Sequence, residues 1–267
     1  MSDYAVGKFE SLPSRKSVKK AIKRSLLLVN KKPSHTGYWV KEGDVLIVVQ
    51  DNSKRLVYER ELKIIFEDDH IAAVIKPGDV PVSGNSFRTL QNALSFNLKP
   101  SMQKDSLEVP RPVHRLDRQT SGVLLIAKTR SSAAYLGEQF EKRRVHKTYL
   151  ACISGKLDSR KTYSSPIEDK EALTEIKPFQ KVVHPKFGEI TSIEANPKTG
   201  RRNQIRIHLS EEGFPILGDL KFGGMKSGRG LFLFAQKIAF NHPETNELIS
   251  LEAEVPKKFL KVMGGRS

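Results

Sequence analysis

The residues best equipped for chemistry lie between Arg111 and Lys128, in the stretch RPVHRLDRQTSGVLLIAK. There His114-Arg115-Leu116-Asp117-Arg118 sets one carboxylate between two guanidinium groups. Neighbouring cations favour a negative charge at such a position. A carboxylate held in an electropositive setting can serve as nucleophile, base or electrostatic stabiliser. The residue types alone describe a surface ion pair equally well, because structural ion-pair networks also perturb acids. The residues C-terminal to Asp117 narrow the choice. Gln119-Thr120-Ser121-Gly122 has turn chemistry, and Val123-Leu124-Leu125-Ile126-Ala127 is an apolar run of the right length for a buried strand. Asp117 is therefore tied directly to a core element.

A second polar constellation spans Pro197 to Gly224. After a turn at Pro197-Lys198-Thr199-Gly200, the segment Arg201–Leu209 alternates. Ile205, Ile207 and Leu209 fall on one side, and Gln204, Arg206 and His208 on the other, which predicts a strand with a core face and a basic face. A merely solvated sheet face would alternate in the same way. His146–Gly155 also reads as a strand, with Lys147, Tyr149 and Ala151 on one face.

The elements that must position these groups follow from pattern. Ile64–Gly78 reads as strand, acidic turn, strand and stop, and Thr89–Phe96 as a short helix with Leu90, Ala93 and Leu94 on one face. Ser131–Arg144 is predicted helical, with Ser131 as cap and Lys142, Arg143 and Arg144 complementing the negative end of its dipole. A first helix spans Ser14–Arg24, with Ser14 as N-cap, Val18, Ala21 and Ile22 at core spacing, and Arg15, Lys16, Lys19 and Lys20 on its surface. Short strands follow at Leu26–Val29 and Val40–Val48, the latter with a turn at Gly43-Asp44. Asp51–Arg60 reads as a linker, giving a small domain over 1–58 and a larger one over 59–267. Lys257 to Arg266 reads as a short helix with a frayed tail.

Composition bounds the function. The chain has 267 residues, 28% of them charged, and a formal net charge of +16. A charge of this sign points to a polyanionic partner, nucleic acid first. No apolar segment reaches the length of a membrane span, so a membrane partner is not expected. MSDYAVGKFESLPS lacks the apolar core of a secretory signal, and the cytoplasm is the expected compartment. A single cysteine, Cys152, excludes an internal disulfide framework, and no histidine pair has zinc-ligand spacing with a supporting thiol or carboxylate. No phosphate-cradling glycine loop is present.

HRLDRQTSGVLLIAK closely resembles the central motif of the RluA-type pseudouridine synthases. Lys76-Pro77-Gly78, Lys147-Thr148-Tyr149, Thr199-Gly200-Arg201, Gln204-Ile205-Arg206 and Gly218-Asp219 resemble the family's further motifs in order. The resemblance implies an α+β fold, a mixed and largely antiparallel curved sheet with flanking helices. It implies that Asp117 is the catalytic residue, that Tyr149 packs on the uracil, and that Arg206 pairs with the catalytic carboxylate. Arg115, Arg118, Arg201 and Gln204 are the expected RNA contacts, with Arg115 occupying the space of a flipped base. The implied reaction isomerises uridine to pseudouridine in structured RNA, ribosomal or transfer, with no cofactor, no metal and no obligatory protein partner. Ile75, Asn203 and Phe234 depart from the family's usual Asn, His and His. Ser14-Arg15-Lys16, Val29-Asn30 and Gly43-Asp44 resemble the alpha-L RNA-binding module of a small-subunit ribosomal protein, with Lys31 where that module usually has glycine. Arg15, Lys16, Lys19 and Lys20 are then its candidate RNA contacts.

Two other classes compete. An RNA-binding or ribosome-assembly protein on an inherited synthase scaffold would explain the charge equally well, but not the retained Asp117, Tyr149 and Arg206. A carboxylate-dependent glycoside hydrolase would need a second acid at a matching motif, and none is evident.

Overall fold

The computed structural model describes residues 1–49 and 57–264. Most of the expected linker, and the tail at Arg266, lie outside the described residues. The chain divides into two units, Met1–Arg55 and Leu56–Ser267.

In the first unit, helix α1 (Arg15–Lys23) opens with a reciprocal cap. The Ser14 hydroxyl accepts from the Ser17 N–H at 3.2 Å, and the Ser17 hydroxyl accepts from the Ser14 N–H at 3.0 Å. Val18, Ala21 and Ile22 are buried against Leu12 and Leu27, while Lys16, Lys19 and Lys20 remain exposed. Strands β1 (Leu27–Val29), β2 (Lys32–Pro33) and β3 (Leu46–Val48) form an antiparallel sheet in the order β2-β1-β3. Lys31, at the β1–β2 turn, adopts φ +66°, the left-handed region that glycine enters most readily.

The second unit is built on a ten-stranded mixed sheet. It begins with β4 (Lys63–Glu67), β5 (Ile71–Lys76), helix α2 (Leu90–Asn97), β6 (Ser106–Pro112) and β7 (Ser121–Thr129). Helix α3 (Arg130–Glu141), β8 (His146–Ser154), β9 (Lys161–Tyr163), β10 (Thr174–His184) and β11 (Gly188–Pro197) follow. The chain closes with helix α4 (Gln204–Glu211), a 3-10 turn at Leu220–Phe222, β12 (Leu233–Asn241), β13 (Leu248–Glu252) and helix α5 (Lys257–Val262). The order is β4-β5-β7-β12-β8-β11-β10-β9, with β6 beside β7 and β13 beside β12. Every pairing is antiparallel except β7 with β12.

The apolar run Val123–Ala127 is continuous because β7 is central and covered on both faces. Ile71, Ala73, Val123 and Leu125 enter one core with Leu136 of α3, Leu209 of α4 and Phe259 of α5. Ala72, Val74, Leu124 and Ile126 enter another with Leu90, Ala93 and Leu94 of α2. Gly122 makes the parallel pairing possible. At φ +125° its missing Cβ would stand 2.2 Å from the Ala235 carbonyl oxygen of β12.

Three expectations need correction. Arg201–Leu209 is not a strand, since Gln204–Glu211 is helix α4. The polar residues that suggested an open basic face are buried: His208 bonds the Thr174 hydroxyl at 2.9 Å and the Ser165 carbonyl at 3.0 Å. With core contacts nearly all round, the segment shows no helical stripe. The cap of α3 is Thr129, not Ser131, because β7 runs two residues further than its apolar core. The Thr129 hydroxyl accepts from the Ser132 N–H at 3.1 Å, and the Ser131 N–H donates to Asp105 at 2.8 Å. Arg143 also leaves the helix at φ +57° and pairs with Glu171 at 2.6 Å instead of capping the dipole. Among the described residues no helix is long and apolar enough to cross a membrane.

Candidate active site

Asp117 lies in the segment that leads into β7, and three anchors hold that segment. Leu116 is buried in the second core. His114 stacks on Phe140 at 4.8 Å between centroids, and its Nε2 accepts from the Leu125 N–H at 3.0 Å. Burial, then the charge of Lys147, pushes this imidazole down to about 3, so it is a neutral acceptor that clips the motif to the strand. Lys76, at the end of β5, is fully buried. Its Nζ donates to the carbonyls of Pro77 and Val80 at 2.8 Å and of Arg118 at 3.0 Å. Burial pulls its ammonium down to about 8, against the opposing pull of Asp79 and Asp117. A turn closed by the Thr120 N–H donating to the Asp117 carbonyl at 3.1 Å completes the mount.

Arg206 reaches Asp117 from α4. Its NH1 stands 3.5 Å from Asp117 Oδ2, and the two side chains are 5% and 18% exposed. The implied pair exists, but it is not the arginine's main bond. Nε and NH2 grip Asp219 at 2.6 and 2.8 Å in a buried bidentate pair. NH1 also donates to Asn203 Oδ1 at 2.7 Å, and Phe222 covers the guanidinium face with its ring centre 4.8 Å away. Asp219 thus absorbs most of the arginine's charge while Asn203 steers NH1. Asn203 holds φ +56°, a left-handed conformation that Asn tolerates. The Asp117 carboxylate is left near a cation without being locked to it.

Tyr149 comes from β8, between Ala195 of β11 and Ala235 of β12. Burial, then the negative charge of Asp117, pushes its phenol well above the usual range, so it stays neutral. Asp117, Tyr149 and Arg206 line one cleft of about 520 Å³, large enough for a nucleoside. Seven Lys and Arg residues line it against two acids, Asp117 and Glu141. This suits a substrate that carries phosphate.

The other expected contacts divide. Arg115 and Arg201 line the cleft, Arg201 with its Nε donating to the Glu171 carbonyl at 2.9 Å. Arg118 is not brought there, since its Nε donates to the Asp79 carbonyl at 3.1 Å. Gln204 borders the cleft but is 4% exposed and fully engaged. Its Oε1 accepts from the Thr199 hydroxyl and the Arg201 N–H, and its Nε2 donates to the Leu173 carbonyl and the Thr174 hydroxyl. It is a brace for the Thr199–Arg201 turn, not a free RNA contact. Arg15 is ion-paired with Asp3. Phe234 is buried beside Phe259, and Ile75 is packed at the edge of the core, so neither departure reaches the cleft. Asp219, Asn203 and Lys76 were not expected in the site. Lys76 had a signal within the Lys-Pro-Gly motif and Asn203 as a departure from the usual His, and so did Asp219, as part of the Gly-Asp motif. Gly218 precedes it at φ +85°, where a Cβ would stand 2.0 Å from the Gly230 carbonyl oxygen. Among the described residues no group of His, Cys, Asp and Glu is arranged to hold a metal ion.

Residues 70–211 match the family model described as RNA pseudouridylate synthase. The chain is 32% identical to an RNA pseudouridine synthase of Aquifex aeolicus, over 93% of this chain and 88% of the relative. It is 33% identical to the ribosomal large subunit pseudouridine synthase C of Vibrio parahaemolyticus, over 91% and 85%. Among solved structures, human RNA pseudouridylate synthase domain containing 1 superposes with a TM-score of 0.61 at 26% identity, covering 73% of this chain and 84% of that one. The chain belongs to the RNA pseudouridylate synthases, in their RluA-type branch, and isomerises uridine to pseudouridine in RNA.

Proposed function

We propose that Asp117 is the catalytic carboxylate, that Arg206 positions it, and that Tyr149 packs on the uracil and holds a proton as a neutral phenol. The observation that carries this reading is the mount of Asp117: rigid through Lys76 and His114, and within 3.5 Å of an arginine already engaged by Asp219. The N–C glycosidic bond breaks and carbon-5 of the base joins the sugar. Carbon-5 loses a hydrogen and the former glycosidic nitrogen gains one, so the balance requires no redox partner and no added group. Tyr149 favours donation because a phenolate beside Asp117 would be doubly penalised. A base stacked in a helix cannot reach such a cleft, so the target is unstacked or flipped, with Arg115 in the vacated space.

The relatives named for the ribosomal large subunit support large-subunit ribosomal RNA as the substrate class. The exposed Lys16, Lys19 and Lys20 support RNA binding by the first unit. An RNA substrate and a buried free Cys152 support a cytoplasmic location. The test is Asp117→Asn, assayed by tritium release from carbon-5 of labelled uridine in RNA taken from cells lacking the gene. Turnover should fall to background while RNA affinity changes little, since phosphate contacts supply most of it. Release that continues at the wild-type rate would remove Asp117 from the role.

A further inference from the structure

Trp39 is the only tryptophan of the chain, and it is 87% exposed. A side chain of this size in water forgoes a large apolar burial, so its surroundings should explain why it is held out. The loop that carries it is well tied. The Asp44 carboxylate accepts from Asn30 Nδ2 at 2.8 Å, from the Tyr38 hydroxyl at 3.0 Å and from the Lys41 N–H at 2.8 Å. Asn30 Oδ1 in turn accepts from the Val45 N–H at 2.9 Å, and the Tyr38 N–H donates to the His35 carbonyl at 3.1 Å. Tyr38 is thus pinned to the loop's own centre, and the next residue is presented outward on a fixed backbone.

The charge around it is mostly positive. Lys41 is exposed in the same loop, and Lys31 and Lys32 are exposed at the β1–β2 turn that the Asn30–Asp44 bond ties to it, against an exposed Glu42 and an Asp44 whose oxygens are already occupied. A flat ring on a rigid mount, with lysines on the segments tied to that mount, is the pattern that binds single-stranded nucleic acid: cations track the phosphates and the ring takes a base face.

We propose that Trp39 is a stacking platform for an unpaired base of the RNA substrate. The proposal rests on the first unit being an RNA-binding unit, and it adds which kind of RNA that unit selects. Inside a duplex each base face is covered by its neighbours, and only the two ends leave one open, so a stacking platform discriminates against paired RNA. Because every base has a π face, it does so without reading sequence.

The test uses the full-length protein and a ten-nucleotide oligouridylate, with a blunt duplex of equal length as comparison. Tryptophan emission belongs to Trp39 alone. Emission should be quenched saturably by the single strand, with the same midpoint as anisotropy of the labelled strand, and not by the duplex. Trp39→Ala should weaken single-strand binding about five- to hundredfold, and Trp39→Phe much less. The slope of log affinity against log salt should be unchanged in Trp39→Ala, because no cation is removed. An exposed side chain can be removed without touching the core, and far-ultraviolet circular dichroism verifies that. If anisotropy saturates while emission stays constant and Trp39→Ala binds as well as wild type, the stacking role is refuted and a protein partner becomes the better occupant. Substituting Lys16, Lys19 and Lys20 together by Ala separates the two levels of the reading. Affinity and salt slope both unchanged in that variant, with emission also constant, would refute RNA binding by the first unit, and Trp39 with it. A flattened slope with constant emission would refute the platform alone.

Discussion

Replacing Asp219 by Asn removes the negative charge that holds Arg206 and keeps the volume. In the wild type the guanidinium divides between Asp219, at 2.6 and 2.8 Å, and Asp117, at 3.5 Å. With Asp219 neutral, Asp117 becomes the only carboxylate paired with a cation that is 5% exposed, and NH1 should close to ordinary hydrogen-bond distance. Contracting an ion pair from 3.5 Å to about 2.8 Å adds on the order of 1 kcal/mol of attraction at an effective dielectric of about 20. That energy stabilises the resting carboxylate, and a step that consumes its charge must give it back. Turnover should therefore fall about five- to tenfold, with KM nearly unchanged because no substrate contact is altered. Stability should fall as well, by about 3 kcal/mol, since breaking a buried ion pair leaves one charge short of a partner. Tritium release at saturating RNA gives the first number, and urea denaturation gives the second. Loss of stability with full turnover would show that Asp219 merely fills space, and that sharing of the arginine between two acids does not tune Asp117.

Gly122→Ala should disrupt the parallel seam between β7 and β12, because the new methyl group would stand 2.2 Å from the Ala235 carbonyl oxygen; insoluble or poorly folded protein is the expected outcome, and a wild-type melting curve would contradict it. His114 carries a pH signature: it is near 6.5 when unfolded and about 3 when folded, so between those values the unfolded state binds the extra proton and stability falls as pH falls. From pH 7 to pH 5 the loss should be about 2 kcal/mol, and His114→Gln should flatten the difference between urea curves at the two pH values. Turnover should persist in excess chelator once RNA folding by magnesium is controlled separately, and activity restored only by added zinc would contradict a reaction run by protein groups alone.

What could be read from residues alone was the part of the site mounted on regular structure. Val123–Ala127 announced a buried strand because both its faces are covered, and that placed Asp117 beside a core before any contact was known. Tyr149 was different: a tyrosine half-buried in a sheet has no signal of its own, and only the resemblance singled it out. The segment Gln204–Glu211 failed for a specific reason. Ile205 and Leu209 are one helical turn apart, yet Gln204, Arg206 and His208 are buried with them by hydrogen bonds to Thr199, Asp219 and Thr174. Hydrophobic periodicity detects a helix by contrast between a dry face and a wet one, and here the polar face is dry too. The same buried network sets the chemistry. An arginine on an open basic strand face would have been free to clamp Asp117 outright; on a helix with Asp219 behind it, it stands one step back. The helix whose pattern resembles a strand and the second acid at Arg206 therefore have one cause, a polar cluster placed in the interior where a sequence pattern counts it as surface.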